Sequence, residues 1–354
     1  MALPLLGSKA RKHDQIIAID LGAHTTKAVQ IQRRGDRFTL SGYTIQEAPT
    51  REDAASPDQL GAHLTKVVQA LGARGKQVAF ALGVSDSLVR PAEMPLVPAS
   101  EMRALLKFNA KAYLQQDLPD HVFDCYVLPS APSAKPEPGG RPGQRGKVLV
   151  AGTKKKTLDD LQAAARAAGL IPEAVVPGLI GPANAFECAQ PALFAKEPVA
   201  LVDIGFKNSS ITILLAGEPI LNRVVGIGGE RLTSGVAEAL GVSYAEAEGI
   251  KLGLAEEVQS TLVALLAPLG RELRASIDFF EHQQDRTVSQ VYVSGGSARS
   301  DYILETLQTE LMAPCVRWNP TQSLSLSLPA TQGEGIEPCA PQLAVAVGAA
   351  LAVL

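Results

Sequence analysis

Two parts of the chain repeat the same pattern of apolar strand, polar turn and apolar strand. In the first, Ile16-Ile17-Ala18-Ile19 is a continuous apolar run ending at Asp20-Leu21-Gly22, and Lys27-Ala28-Val29-Gln30-Ile31-Gln32 largely alternates. Short runs of this kind, closed by turn residues, predict a hairpin. Phe38–Tyr43 predicts a third strand, Pro57–Leu71 a helix and Val78–Leu82 a further buried strand. In the second part, Val199–Ile204 ends at Asp203-Ile204-Gly205, and strands are predicted over Ser210–Leu214 and Leu221–Val225. Each part thus reads as strand, Asp, aliphatic residue, Gly, short polar turn and strand, an internal duplication at the level of a motif.

From about Val84 to Val175 the pattern changes to strand, helix, strand, strand. Pro98-Ala99-Ser100-Glu101 predicts the start of an amphipathic helix with Ser100 as its cap. Strands are predicted over Val122–Leu128 and Lys147–Ala151. Between them, residues 129–146 are rich in Pro, Gly, Ser and Ala with several basic residues, too little apolar surface to order a segment. A flexible insertion in a hairpin is expected there. Leu158–Ala168 predicts a helix stopping at Gly169.

Later, Leu262, Leu266, Leu269, Leu273, Ile277 and Phe280 recur at helical spacing, predicting a helix over Glu256–Gln284 kinked at Pro268. Gln290–Ser294 predicts a strand, and Gly295-Gly296 leads to a helix from about Ser300 to Leu311.

Composition narrows the function classes. The 354 residues are enough for two domains. A net charge of −3 and few aromatics argue against nucleic acid as a partner. Cys125, Cys188, Cys315 and Cys339 have no short spacing, and His13, His24, His63, His121 and His282 are dispersed, so neither a disulfide framework nor a metal cluster is expected. Reduced thiols in the cytoplasm are the expectation. Met1–Leu6 precedes the basic residues Lys9, Arg11 and Lys12, the reverse of a signal peptide, and residues 1–15 are expected to be a flexible end. No run reaches the roughly 18–20 apolar residues of a membrane span.

The duplicated turns carry the candidate chemistry. Glycine lets backbone N–H groups approach an anion, Thr25 and Thr26 offer hydroxyl donors, and Lys27 offers a positive charge. A carboxylate at a strand end, Asp20 or Asp203, can hold Mg²⁺ through water. One such turn is commonplace; two on duplicated strand pairs, with a Gly-Gly turn after a late buried strand, predict a nucleotide gripped from both sides. Gly226-Ile227-Gly228-Gly229-Glu230 adds another glycine approach to the phosphates.

These residues in this order resemble the actin, Hsp70 and sugar-kinase superfamily. More narrowly, the chain resembles the PilM family of type IV pilus assembly proteins, relatives of FtsA, from about Ile16 to Leu351. The carrying residues are Ile19–Gly22 with Lys27, Leu201–Gly205, Gly228–Thr233, Ala245–Lys251, Glu272–Phe279 and Gly295–Ala298.

The resemblance implies an α/β, actin-like two-lobed ATPase fold of duplicated ribonuclease H-like domains with a small inserted α+β subdomain. The expected boundaries are 16–84, 176–198 and 338–354 for the first lobe, 85–175 for the insertion and 199–337 for the second lobe. It further implies ATP and Mg²⁺ as ligands, with Asp20 and Asp203 on the cation through water. Gly22, Thr25, Thr26, Lys27, Gly205, Asn208 and Ser209 would surround phosphates, with Gly228 and Gly229 close by. Glu248 and Lys251 would approach ribose or adenine, the alternative being an exposed helical pair, and Gly295, Gly296 and Ser297 would close the base pocket.

Some residues depart from the family pattern. The first turn reads Gly22-Ala23-His24-Thr25-Thr26 where the family has more serine, and His24 can either meet a phosphate or face solvent, of which solvent is expected. Asn184, the weak catalytic candidate, falls in the helix where actin has a water-orienting Gln, but an amide cannot act as a base. ATP binding with slow or absent hydrolysis is therefore expected.

The resemblance also implies a cytoplasmic scaffold held peripherally at the inner membrane through partners. These would be the N-terminal peptide of a PilN-like membrane protein and other pilus platform proteins, with a homo-oligomer as a further option. A related secretion machine is an alternative setting. A small-molecule kinase would need a base near the phosphates that the sequence does not offer. An FtsA-like division protein would add a C-terminal amphipathic basic helix, which Ala344–Leu354 does not resemble.

Overall fold

The computed structural model describes residues 13–49, 56–129, 145–253, 258–333 and 335–354. Expectations for residues 1–12 and for most of 129–146 fall outside these.

The chain begins with β1 (Gln15–Leu21), β2 (Thr25–Arg34), β3 (Arg37–Glu47), α1 (Pro57–Leu71) and β4 (Gln77–Leu82). Local signals set α1: the Ser56 hydroxyl accepts from Gln59 N–H, the Gln59 side chain accepts from Ser56 N–H, and Pro57 opens the first turn. Gly72 ends it in the left-handed region at φ 67°.

An insertion follows, built from β5 (Ser87–Pro95), α2 (Ala99–Leu114), β6 (His121–Val127) and β7 (Arg145–Lys154). Its strands form an antiparallel sheet in the order β5-β7-β6. Helix α2 starts earlier than expected: the Pro98 carbonyl accepts from the N–H groups of Glu101 and Met102, so Ser100 lies inside the first turn and caps nothing.

Next come α3 (Lys155–Ala167) and β8 (Ile171–Pro177). Strand β8 pairs in parallel with β4, and Gly61 of α1 lies close against Ala164 and Ala167 of α3. The chain has therefore rejoined the first sheet by residue 171, before the expected end of the insertion at 175.

The second lobe is reached through α4 (Gly181–Ala189) and α5 (Pro191–Lys196). It comprises β9 (Val199–Ile204), β10 (Ser209–Leu215), β11 (Glu218–Val225), α6 (Gly229–Leu240), α7 (Tyr244–Gly253), α8 (Gln259–Gln284), β12 (Gln290–Gly295), α9 (Asp301–Leu311) and β13 (Cys315–Arg317). Helix α8 is one element through Pro268. The return segment holds β14 (Ser325–Leu326), α10 (Ala330–Gly333), α11 (Ile336–Cys339) and α12 (Ala344–Leu351). Since β14 pairs with β3, the chain is back on the first lobe before residue 337, where the boundary was expected.

The two large sheets run β14-β3-β2-β1-β4-β8 and β11-β10-β9-β12-β13. In each, an antiparallel meander (β1–β3; β9–β11) is extended by a strand parallel to its first member, β4 or β12. The duplicated motif has become a duplicated topology.

One apolar core is shared by both lobes. It holds Ile16, Ala18, Val29 and Ile31 of the first sheet, Val199, Leu201 and Tyr292 of the second, and α4 and α12 between them. Phe186 packs on Tyr292 at 4.7 Å and edge-on to Trp318 at 5.5 Å between ring centroids. The apolar run at 343–351 is thus a core helix. Among the described residues no helix is long and apolar enough to cross a membrane.

Candidate functional site: a cleft between two matched turns

Each hairpin delivers its aspartate to the same register position. In β1–β2, Asp20 lies opposite Lys27; in β9–β10, Asp203 lies opposite Ser210, again seven residues on. Each aspartate is the penultimate residue of a strand that is mostly buried up to that point, so the carboxylates are held near the strand tips. The tips face one cavity of about 880 Å³ between the lobes.

Close packing explains the glycines after each aspartate. A Cβ on Gly22 would stand 2.5 Å from the Thr25 carbonyl oxygen and 2.8 Å from Lys27 Nζ; one on Gly205 would stand 2.8 Å from the Asn208 carbonyl oxygen. Gly295 needs glycine for a second reason, since its φ is +93°.

The two carboxylates are balanced differently. Asp20 is buried with Lys27 Nζ 3.4 Å from its Oδ2. Asp203 accepts from Ser294 Oγ at 2.9 Å. Burial pushes the Asp203 carboxyl above the usual carboxylate range; the Ser294 hydrogen bond and the Lys27 charge oppose this, and Asp20 adds to it. At the strand tips, Asp20 and Asp203 face a single ammonium, that of Lys27, a local shortage of positive charge that a divalent cation would supply.

Most of the expected residues meet here. Asp20, Gly22, Thr25, Thr26, Lys27, Asp203, Gly205, Asn208, Gly229, Glu248, Lys251, Gly295, Gly296 and Ser297 all line the cavity. Thr26 is buried and its Oγ1 lies 2.8 Å from His63 Nε2, so this hydroxyl already has a partner.

Three expected residues are placed otherwise. Ser209 is fully buried and its hydroxyl donates to the Ile227 carbonyl at 2.7 Å, bracing the turn from behind. Gly228 is packed on the second turn, where a Cβ would stand 2.3 Å from the Phe206 carbonyl oxygen. Asn184 lies off the cleft wall, with its amide nitrogen 3.4 Å from the Gly348 carbonyl of α12 and its Oδ1 unpartnered. A residue buried under helix packing cannot orient a water in the cleft.

Glu248 and Lys251 are more than an exposed helical pair. Lys251 is 2% exposed and donates to Thr233 Oγ1 at 2.8 Å and to Glu248 Oε2 at 2.6 Å. Burial lowers the Lys251 pKa, partly offset by Glu248. For Glu248, burial opposes ionisation but is outweighed by the charge and hydrogen bond of Lys251 and the Thr233 hydroxyl, leaving its pKa lowered. Glu248→Ala is expected to cost about 3 kcal/mol by urea unfolding, because it strands a buried ammonium. Lys251→Met is expected to cost about half that, since the half-exposed Glu248 can rehydrate. Equal costs would mean that the ammonium is not the buried member of the pair.

Several wall residues escaped the sequence reading, among them His63, Phe206, Tyr244 and Gln342. Burial and then Lys66 lower the His63 pKa, so it is neutral near pH 7. Only α1 could have offered a sequence signal for it, and position 63 breaks no pattern there. His24 is exposed, as expected, but its ring also stacks on Phe206.

The cleft suits a nucleoside polyphosphate with a divalent cation. It has two glycine turns, a lysine and two carboxylates at one end, and Glu248, Lys251, Gly296 and Ser297 along another wall.

Comparison with known proteins gives the same picture. A family model described as "Type IV pilus assembly protein PilM" matches residues 18–353. A chain of the solved "PilM-PilN type IV pilus biogenesis complex" superposes with a TM-score of 0.81 at 22% identity, covering 97% of this chain and 100% of that one. Ethanolamine utilization protein EutJ from Carboxydothermus hydrogenoformans gives 0.55 at 15% identity, covering 98% and 92%. MreB 5 of Spiroplasma citri bound to AMPPNP gives 0.52 at 9% identity, covering 96% and 95%. The shared architecture is the two-lobed, actin-like fold.

Proposed function

This chain belongs to the type IV pilus assembly protein PilM family, and on that premise we propose that it is an ATP-binding scaffold that captures the N-terminal cytoplasmic peptide of a PilN-like membrane protein. The observation carrying the nucleotide part is the pair of matched turns, Asp20 opposite Lys27 and Asp203 opposite Ser210, facing one cleft.

In this reading Asp20 and Asp203 hold Mg²⁺ through water. Gly22, Thr25, Lys27, Gly205 and Asn208 approach the phosphates, while Glu248, Lys251, Gly295, Gly296 and Ser297 hold the nucleoside. With residues of both turns on one ligand, a bound nucleotide would bridge the lobes and stabilise the closed form by mass action. Hydrolysis is slow, and the nucleotide acts as a structural ligand.

The partner assignment is supported by the family and by the solved relative, which is a PilM–PilN complex. The peptide lies extended between the first lobe and the β5–β7 insertion, with backbone pairing for affinity and side-chain pockets for specificity. Through this peptide the chain sits peripherally at the cytoplasmic face of the inner membrane, where it meets other platform proteins.

Fluorescence anisotropy with a labelled synthetic PilN N-terminal peptide tests the partner assignment. Saturable binding abolished by scrambling the peptide is expected. Equal affinity for scrambled and native peptides would refute the partner assignment, whatever the nucleotide result.

A further inference from the structure

The rings of His24 and Phe206 stack with centroids 4.3 Å apart and planes 13° from parallel. His24 belongs to the β1–β2 turn and Phe206 to the β9–β10 turn, so the stack joins the tips of the two matched turns across the cleft, and both residues line the cavity. Phe206 directly follows Gly205, and His24 stands two residues after Gly22.

Neither ring is carried on a free loop. The His24 carbonyl accepts from Ala48 N–H at 2.9 Å, tying its turn to the end of β3. In the other turn, Gly205 N–H donates to the Asn208 carbonyl at 3.1 Å. The start of α6 is fastened to that turn as well: Gly229 N–H donates to the Gly205 carbonyl and Glu230 N–H to the Phe206 carbonyl, each at 2.9 Å. With both backbones fixed to their own lobes, the rings part when the lobes move or when a side chain leaves its rotamer. The shared apolar core joins the lobes through α4 and α12, whereas the stack joins them at the turns that flank the phosphates.

We infer that the His24–Phe206 stack is a latch that positions the two phosphate turns and retards nucleotide release. This rests on the nucleotide-binding reading above for its ligand, but the contact itself belongs to the chain alone. Offset-stacked aromatic pairs contribute modestly beyond the area they bury, enough to shift a closed–open equilibrium by about threefold to tenfold. The stack spans the mouth of the two turns, so the effect is read in the dissociation rate.

Stopped-flow release of methylanthraniloyl-ATP with Mg²⁺, chased by unlabelled ATP, tests this in the full chain. His24→Ala and Phe206→Ala are each expected to speed release about threefold to tenfold, the double variant no more than either alone, and His24→Phe to stay within about twofold of the parent. Hydrogen exchange of the nucleotide-free chain provides the second readout. Amides of residues 20–27 and 203–210 should exchange faster in the two alanine variants and at the parent rate in His24→Phe.

Unchanged release in His24→Ala, or His24→Phe releasing as fast as His24→Ala, would overturn the latch. If the parent binds no labelled ATP but exchange follows the stack as described, the latch stands as a lobe–lobe contact and the nucleotide reading fails. If exchange in both turns ignores all three single variants, the latch fails whether or not nucleotide binds.

Discussion

Asp203→Ala is expected to show no saturable Mg·ATP binding in titration calorimetry at concentrations that saturate the parent, a loss of at least about 100-fold. Lys27→Ala should lose comparable affinity, because it removes the lysine paired with Asp20 and leaves two carboxylates together at the strand tips. The apo proteins tell binding loss apart from unfolding. The folded state raises the Asp203 pKa, chiefly through burial. That group favours the folded state most below the ordinary carboxylate pKa, and the benefit is lost as pH rises through the raised value. The carboxyl therefore contributes less to folding at pH 7 than in acid, so apo Asp203→Ala should melt no lower than the parent at pH 7. Its advantage should shrink on acidification. Full retention of Mg·ATP affinity in Asp203→Ala would remove the cation-binding role. Lost affinity together with a much lower melting temperature at pH 7 would mean that the carboxylate is structural.

Gly348→Leu is expected to be strongly destabilising, costing about 3–5 kcal/mol or preventing folding. Where α12 crosses α4, a Cβ on Gly348 would stand 1.8 Å from the Gly181 carbonyl oxygen, and one on Gly181 would stand 2.7 Å from Val345 Cα. Both obstacles are backbone, which no rotamer change relieves. The helices would have to separate, opening the core shared by the two lobes. Gly249→Ala is the matched control: its helical Cβ meets nothing within 4 Å, so it should stabilise by about 0.5–1 kcal/mol. Calorimetric melting of the two variants beside the parent checks both expectations. A Gly348→Leu protein melting within a few degrees of the parent would mean that the crossing is loose.

The cleft and the packing crossing were not equally legible. The glycines of the two matched turns announce themselves because each follows a buried strand and an aspartate within a few residues. Gly348 sits in an apolar run where nothing in the order of residues distinguishes it from Ala349 or Ala350. Its need for a hydrogen comes from Gly181, far away in the chain.

The same division runs through the whole molecule. The sequence by itself determined the elements whose signals are local: α1 between its Ser56 capping box and Gly72, the buried strands β1 and β9, and the duplicated Asp-aliphatic-Gly turns. Strand formation, capping and turn chemistry act over a few residues, and so does the placing of an aspartate at a strand tip. Tertiary structure alone decided which distant segments meet. It put β8 beside β4 and β14 beside β3, moving the edges of the insertion and of the second lobe. It buried Lys251 under Glu248, turned Asn184 away from the cleft, gave the Thr26 hydroxyl to His63 and set His24 against Phe206. Parallel pairing, burial of a charge and contact across a cleft depend on residues separated by many tens of positions. No local pattern encodes such a meeting, because its energy exists only once both lobes have folded and closed on each other.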